Sequence, residues 1–542
     1  MDNQPDHPSG AVGTLPPHDS APGDAVSDDI DDLRPQERLS WGRLGILVLV
    51  VGLVGGAGFL TLRDAAEGPP VLESSWSVPY VDVTLTPAYE FQDPRTNPAR
   101  DIALAFVVAD PAEECTPSWG GAYTLPAASR DLELDRRITQ LRASGGEVMV
   151  SFGGQANDEL AVSCTDQNRL AAAYRSVVER YDVAAIDLDI EGAALADAAS
   201  VARRSSAIAA VQQSRVAGGD TLAVWLTLPV ATTGLTVDGI AVVRSALAAG
   251  VELAGVNAMT MNFNDPAATA GGMLPATIAA LEATAGQIGD VYAEHGVSLN
   301  ESERWGKLGA TPMIGQNDID VEVFTIEDAT GLAAYAVEQG LGRVSTWSIN
   351  RDEPCGASFT DVAVHSNTCS GVEQEPLEFA NVFTLLPGRA PMLETADSLT
   401  EVTQPVVADD PAASPYPIWR PEAQYAEGYK VVRRGFVYQA KWYIAGQDPA
   451  TPVSVPSDTA WSLLGPVDPS DEPFTPTTVA AGTHPEWEPN VAYSIGDEVL
   501  FDRLPYKARW NNQNDVPSTL FPIGPDSAWE PLFTVPGEPG RP

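Results

Sequence analysis

The chain has 542 residues, and it is poor in the residue types that mark several common function classes. Basic residues are scarce: 31 Lys and Arg stand against 74 Asp and Glu, a formal net charge of −43 at pH 7. Binding a phosphate backbone needs a basic stripe, so no nucleic-acid partner is expected. An acidic surface suits a neutral substrate better than an anionic one, and says nothing about fold. Histidine and cysteine are rarer still. His7, His18, His295, His365 and His484 form no HExxH, and Cys115, Cys164, Cys355 and Cys369 form no CxxC. Ligand spacing therefore gives no metal site, and nothing in the chain calls for a cofactor. Four isolated cysteines read either as buried apolar residues or, in an exported chain, as two disulfides.

Long hydrophobic runs are also nearly absent. The exception is Leu44–Leu62, which is uncharged and almost wholly apolar. As a helix it would extend about 28 Å, close to a bilayer's hydrocarbon thickness. Arg34, Arg38 and Arg43 precede it, and only Arg63 lies just after it. The positive-inside rule then puts the N-terminus in the cytoplasm. The expectation is a single-pass membrane protein: residues 1–43 a disordered cytoplasmic tail rich in Asp, Pro, Gly and Ser, residues 44–63 a transmembrane anchor, and the remainder extracellular. The alternative is a chain secreted after signal cleavage, but such a leader would be unusually long and no clear A-x-A site follows the run.

Across residues 75–375, short apolar runs alternate with amphipathic stretches. The runs read as strands at Tyr80–Leu85, Ile102–Ala109, Val148–Phe152, Ala184–Ile190, Leu222–Val230, Leu253–Met261, Leu308–Ile314 and Val344–Ile349. Helical patterns such as Leu132–Ala143, Gln167–Tyr181, Ala198–Val216 and Ala276–Ala293 fall between most of them. This alternation predicts an α/β fold, a (β/α)8 TIM-type barrel, with a doubly wound open sheet fitting nearly as well.

The sharpest chemical signal is Asp187-Leu188-Asp189-Ile190-Glu191, at the end of the fourth expected strand. Alternate side chains of a strand share a face, so the three carboxylates point the same way. A solvated edge strand would explain them trivially, but Ala184, Ala185 and Ile186 lead into the run and argue for burial. Acids buried together are costly unless function requires them.

At these residues the chain resembles glycoside hydrolase family 18, the bacterial chitinases and related endo-N-acetylglucosaminidases, whose fourth strand carries D-x-x-D-x-D-x-E. Asp187, Asp189 and Glu191 match the last three acids, and Ala184 stands where the first would be. Ser151-Phe152-Gly153-Gly154 looks like the family's S-x-G-G. Met259-Thr260-Met261-Asn262-Phe263 looks like its M-T-M-D-Y, and Trp347 stands where the family places a Trp under the scissile sugar. The resemblance covers roughly residues 78–352. It implies a retaining, substrate-assisted hydrolase of chitin or another N-acetylglucosamine-containing polysaccharide, an exception to the two-carboxylate scheme. Glu191 would be the general acid, with Asp189 raising its proton affinity by like-charge repulsion and steadying the intermediate, and Asp187 behind it. Trp347, Met261, Asn262, Phe263 and Trp119 are the expected substrate contacts. Asn262 and Phe263 depart from the family's Asp-Tyr, which predicts a weakened site. Cys115–Cys164 would tie two mouth loops together, and Cys355–Cys369 would close the loop after strand eight. A lectin-like, non-hydrolytic barrel and an endo-N-acetylglucosaminidase acting on glycoproteins are the other readings.

Residues 376–415 read as a linker. Beyond it, Trp419, Tyr425, Gly428, Val431, Tyr438, Ala440, Trp442, Pro449 and Trp461 recur at one constant offset as Trp487, Tyr493, Gly496, Val499, Tyr506, Ala508, Trp510, Pro517 and Trp529. This is a tandem duplication of a small all-β unit, at 416–467 and 484–533. Both copies resemble type 3 chitin-binding modules. Trp442 and Tyr443 match that family's exposed aromatic pair; the second copy offers Trp510 beside Asn511 and should bind more weakly. Trp461 and Trp529 are expected to form the module cores.

Overall fold

The structure is a computed structural model, and it describes residues 77–356, 365–384, 386, 409–453, 458–473, 475–524 and 526–539. Eight parallel strands carry the main domain: β1 (Tyr80–Asp82), β2 (Asp101–Asp110), β3 (Glu147–Gly153), β4 (Ala185–Asp189), β5 (Ala223–Ala231), β6 (Leu253–Met259), β7 (Leu308–Thr311) and β8 (Arg343–Val344). Each pairs with the next in chain order. The ring closes where Val78 N donates to Val344 O at 2.9 Å and Tyr80 N to Thr346 O at 3.1 Å. Closure leaves no free sheet edge, and it separates this fold from the open doubly wound alternative.

Around the ring lie α1 (Leu134–Ala143), α2 (Gln167–Tyr181), α3 (Ala198–Gly218), α4 (Val237–Ala248), α5 (Met273–Glu294) and α6 (Ile326–Gln339). The local chemistry of α2 shows why such segments are helical. Asp166 accepts from Asn168 N and Arg169 N at 2.9 Å as N-cap, and Asp182 closes the helix in the left-handed region. Leu170, Ala173, Tyr174, Val177, Val178 and Tyr181 form its buried face, at helical spacing. Within the linker expected at 376–415, Glu378–Thr384 is a further helix, α7. Its Phe379, Ala380 and Phe383 join the barrel core. Cys115–Cys164 and Cys355–Cys369 are both disulfide-bonded.

The expected transmembrane helix is not supported, and the single-pass membrane reading is withdrawn. Among the described residues no helix is long and apolar enough to cross a membrane. The longest, α3 and α5, have the length but carry arginines or carboxylates and pack one face on the barrel. The tail at 1–43 and the run at 44–63 lie outside the described residues.

The duplicated units share their internal bonding as well as their sequence. In the first, Tyr425 packs edge-on against Trp461 at 5.2 Å, and Trp461 Nε1 donates to Gln447 O at 3.0 Å. In the second, Tyr493 meets Trp529 at 5.1 Å, and Trp529 Nε1 donates to Asp515 O at 2.7 Å. Trp461 and Trp529 are both buried.

The first unit is docked on the barrel. Glu133, the N-cap of α1 with φ 52°, is buried and receives Arg136 Nε at 2.9 Å, Lys430 Nζ at 2.7 Å and the Tyr416 hydroxyl. Arg136 also pairs with Asp471 at 2.8 Å. Gly465 lies so close to α1 that a Cβ there would meet Arg136 O at 2.7 Å. Lys430 N in turn donates to Gly537 O at 2.8 Å, so one lysine of the first unit touches both the barrel and the segment that follows the second unit.

Candidate functional site

The strand β4 is buried along its whole length, and its side chains alternate. Asp187 and Asp189 therefore face inward together. The residues beyond continue the extended course: Ile190 N donates to Thr227 O at 3.0 Å, and Glu191 has φ −141° and ψ 179°. Glu191 thus falls on the same side, at the C-terminal end of the barrel, where TIM-type barrels carry their chemistry. The glycines of Ser151-Phe152-Gly153-Gly154 let β3 approach. Gly153 has φ +101°, and a Cβ there would meet Asp189 O at 2.0 Å, while Gly154 N donates to that oxygen at 3.0 Å.

Asp187 is fully buried and fully bonded. Its Oδ2 accepts from Tyr80 OH at 2.9 Å and Ser151 Oγ at 2.7 Å. Its Oδ1 accepts from Thr227 Oγ1 at 2.7 Å and Arg343 Nη1 at 2.6 Å. Asn257 Nδ2 supports this set by donating to Thr227 Oγ1 at 2.9 Å and Thr311 Oγ1 at 2.6 Å. Burial holds the Tyr80 phenol well above its usual range, so it stays a donor.

Asp189 lives differently. It is buried, yet its Oδ1 has no hydrogen-bond partner among the described residues. Burial, then the charges of Glu191 and Asp187, raise its carboxyl well above the ordinary range against the pull of Arg343. Burial, with the Asp318 carboxylate adding to it, pushes Glu191 up to about 7. The two acids form one strongly interacting pair, whose protons belong to the pair rather than to either residue. A site that holds a carboxylic acid protonated near neutrality has what a general acid needs.

Asp189 and Glu191 repel one another, as expected. Asp318, from the loop after β7, adds a further negative charge near Glu191. Asp318 is held by Asn262: Nδ2 donates to Asp318 Oδ2 at 2.8 Å, and Asp318 N donates to Asn262 Oδ1 at 3.0 Å. The amide of Asn262, expected to contact substrate, is thus occupied by Asp318. The same loop is fixed by buried Glu322, which accepts from Phe263 N at 2.9 Å and Asn264 N at 2.8 Å. Phe263 packs partly against the barrel core, and Met261 is half-buried beside it.

Trp347 follows β8 at the mouth, half-buried, stacked on Phe106 at 5.2 Å and edge-on to Tyr80 at 6.0 Å. Trp119 is elsewhere. The expectation that it extends the cleft is corrected: it is fully buried, and its Nε1 donates to Tyr181 OH of α2 at 2.8 Å. Its strand, Glu113–Trp119, folds back antiparallel on β2 and turns the indole into the layer between sheet and helix. Trp442, Tyr443 and Trp510 are exposed on the two small units. Tyr80, Thr227, Asn257, Asp318 and Arg343 were missed. Their signal was weak: Tyr80, Thr227, Asn257 and Arg343 are single polar residues within or just beside apolar strands, and Asp318 is one polar residue among several in a loop.

No family model matches the chain. Over 286 residues, 52% of its length, it is 37% identical to a probable bifunctional chitinase/lysozyme of Escherichia coli K12, covering 31% of that protein. Over 280 residues, 51% of its length, it is 35% identical to endochitinase 11 of Metarhizium anisopliae, covering 52% of it. The chain thus spans about a third and about half the length of these curated relatives. The crystallised catalytic domain of a hyperthermophilic chitinase from Pyrococcus furiosus aligns over 57% of this chain and 93% of its own, with 27% identity and a TM-score of 0.49.

Proposed function

We propose that the chain is a chitinase-type retaining hydrolase of β-1,4-linked N-acetylglucosamine polymers or oligomers. One observation carries the reading: three inward-facing acids at the C-terminal end of β4, the outer two of which, Asp189 and Glu191, form a buried, mutually repelling pair with raised proton affinity. Similarity to proteins named as chitinases supports it.

In the proposed reaction Glu191 gives its proton to the glycosidic oxygen. The acetamido oxygen of the substrate attacks the anomeric carbon, the C1–O bond breaks, and the aglycone leaves carrying that proton. Asp189 steadies the cationic oxazolinium-like intermediate, and Asp187 anchors Asp189's strand neighbours behind it. Glu191, now a carboxylate, takes a proton from water as its oxygen adds to C1, which restores the original configuration. Because the acid must be protonated, activity falls as pH rises through about 7. Trp347 is assigned to the apolar face of the sugar. The two disulfides fit an oxidising compartment.

The test is a fluorogenic chitobioside assayed beside an N-glycoprotein. Release from the chitobioside supports the proposal. Release from the glycoprotein alone moves the activity to an endo-N-acetylglucosaminidase, and binding without release by either substrate makes the barrel a lectin. Glu191→Gln should lower kcat by about 10²–10⁴-fold and leave oligosaccharide binding in place; near-native turnover would refute its role.

For the two small units we propose chitin binding through their exposed aromatics, which stack on flat polysaccharide faces. Trp442 and Tyr443 lie side by side and are 43% and 59% exposed, whereas Trp510 has Asn511 as its neighbour. Trp442→Ala should therefore weaken retention on insoluble chitin more than Trp510→Ala. Equal losses, or none, would remove this assignment.

A further inference from the structure

The reaction proposed above needs one proton in the right place, and the barrel holds an unusual cation where it can decide that. Arg343 sits at the start of β8, 1% exposed, and pairs with fully buried Asp187 across the barrel interior. It donates from Nε to Ser345 Oγ at 2.7 Å, and its guanidinium lies 5.3 Å from the Tyr80 ring centre and 5.6 Å from that of Trp225. A carboxylate has about four lone-pair sites. On Asp187 these meet Tyr80, Ser151, Thr227 and Arg343, so a proton would have to displace a bonded donor. Asp189, two residues on, has an unpartnered Oδ1 instead.

We propose that Arg343 is a positioning residue for catalysis: by pairing with Asp187 it completes that carboxylate's set of four donors and sets the field in which Asp189 and Glu191 share the catalytic proton. This rests on the hydrolase reading. The charged and titratable groups facing the cluster are Tyr80 on β1, Asp187, Asp189 and Glu191 on and beyond β4, Asp318 after β7, and Arg343 on β8. Arg351 and His365 lie near Asp318. The other strands contribute Ser151, Thr227, Asn257 and Thr311, which carry no charge. Arg343 is thus the one cation in direct contact with the acids of β4 among the described residues. Its partner Asp187 is the one of the three whose oxygens meet four donors.

Opposite charge changes on the two partners give opposite signs. Arg343→Gln removes a positive charge, so every neighbouring carboxyl binds its proton more tightly. Both limbs of the pH profile of kcat/KM should move to higher pH, by about one unit. Asp187→Asn removes the negative partner and leaves the guanidinium facing Asp189 alone, so both limbs should move to lower pH. Arg343→Lys keeps the charge, and its limbs should stay within about 0.3 unit of the native ones. A purely structural role would lower rates without moving the limbs. Unmoved limbs in folded Arg343→Gln, or shifts of the same sign in both variants, would overturn the proposal. Should Arg343→Gln fail to fold, the sign seen in Asp187→Asn decides. Should the native chain hydrolyse nothing, the hydrolase reading fails separately. The Asp189 proton is then read from the difference in melting temperature between the native chain and Asp189→Asn against pH. Introducing Asp187→Asn into both must move that midpoint down, and a midpoint that stays or rises refutes the role of Arg343.

Discussion

Two buried carboxylate clusters in one barrel treat charge in opposite ways. At the docking face, Glu133 is surrounded by donors: Arg136, Lys430 and Tyr416. Burial alone would raise its carboxyl, but Lys430 and Arg136 outweigh it and hold the group below its usual range. At the mouth, Asp189 has more negative neighbours than positive ones, and its carboxyl is held high. The first arrangement fixes an anion for the sake of a joint between domains. The second withholds compensation so that a proton remains available. The difference lies in partner count: similar burial gives a clamp where cations converge and an acid where carboxylates do.

Breaking the clamp should have the larger effect on stability. Glu133→Gln leaves Lys430 and Arg136 facing an amide in a buried setting. Removing one partner of such a network costs about 3–5 kcal/mol. Because Glu133 joins α1 to Lys430 and Tyr416 of the first unit, the loss should appear as separation of that unit from the barrel. The native chain should melt in one step, and the variant in two. A single unshifted transition would mean the contact carries no weight. The native joint has its own pH sign. Glu133's folded value is depressed, so its stabilisation is present at neutral pH and is lost as pH falls through that value.

Asp189 has the reverse sign. Its folded value is raised, so its contribution is intact below the ordinary carboxyl range and is lost as pH rises through the folded value. Asn carries no charge to bury. Asp189→Asn should therefore gain stability relative to the native chain as pH rises above the ordinary carboxyl range, with the gap closing as pH falls back into it. Thermal melts across that range check it, and a gap independent of pH would contradict the raised proton affinity.

How far the sequence reveals these clusters depends on how local they are. The acids of β4 are legible because alternation is a period-two pattern within five residues. The duplicated units are legible because a repeat needs no knowledge of contacts. Asp187's donors are not, since Tyr80, Ser151, Thr227 and Arg343 come from four different strands and meet only when the ring closes; Ser151 alone lay in a recognisable motif. Trp119 misled for a related reason. A Trp beside two glycines reads as a surface loop, and nothing local reveals that Tyr181 waits to accept its indole proton. The membrane expectation rested on the length of one apolar run and the arginines that flank it, in a segment outside the described residues.

The smallest expected effect concerns Asn262, where the departure from the family's Asp-Tyr suggested a weakened site that aspartate would repair. The geometry gives the opposite prediction. Asn262 donates to Asp318 Oδ2 at 2.8 Å and accepts from Asp318 N at 3.0 Å, a reciprocal pair that needs one donor and one acceptor. Asn262→Asp replaces the donor with an anion facing another anion. Asp318 is 43% exposed and has room to swing towards solvent, so the clamp should open rather than trap a proton. Asp318 is also the neighbouring charge that helps keep Glu191 protonated. Its departure should lower kcat/KM by about tenfold, the worth of one lost charge-assisted hydrogen bond, and move the alkaline limb to lower pH. Asn262→Ala removes the clamp without the repulsion and should shift the limb in the same direction by less. If Asn262→Asp instead raises kcat/KM, or moves the limb upward, then position 262 acts on Glu191 directly and Asp318 is a bystander.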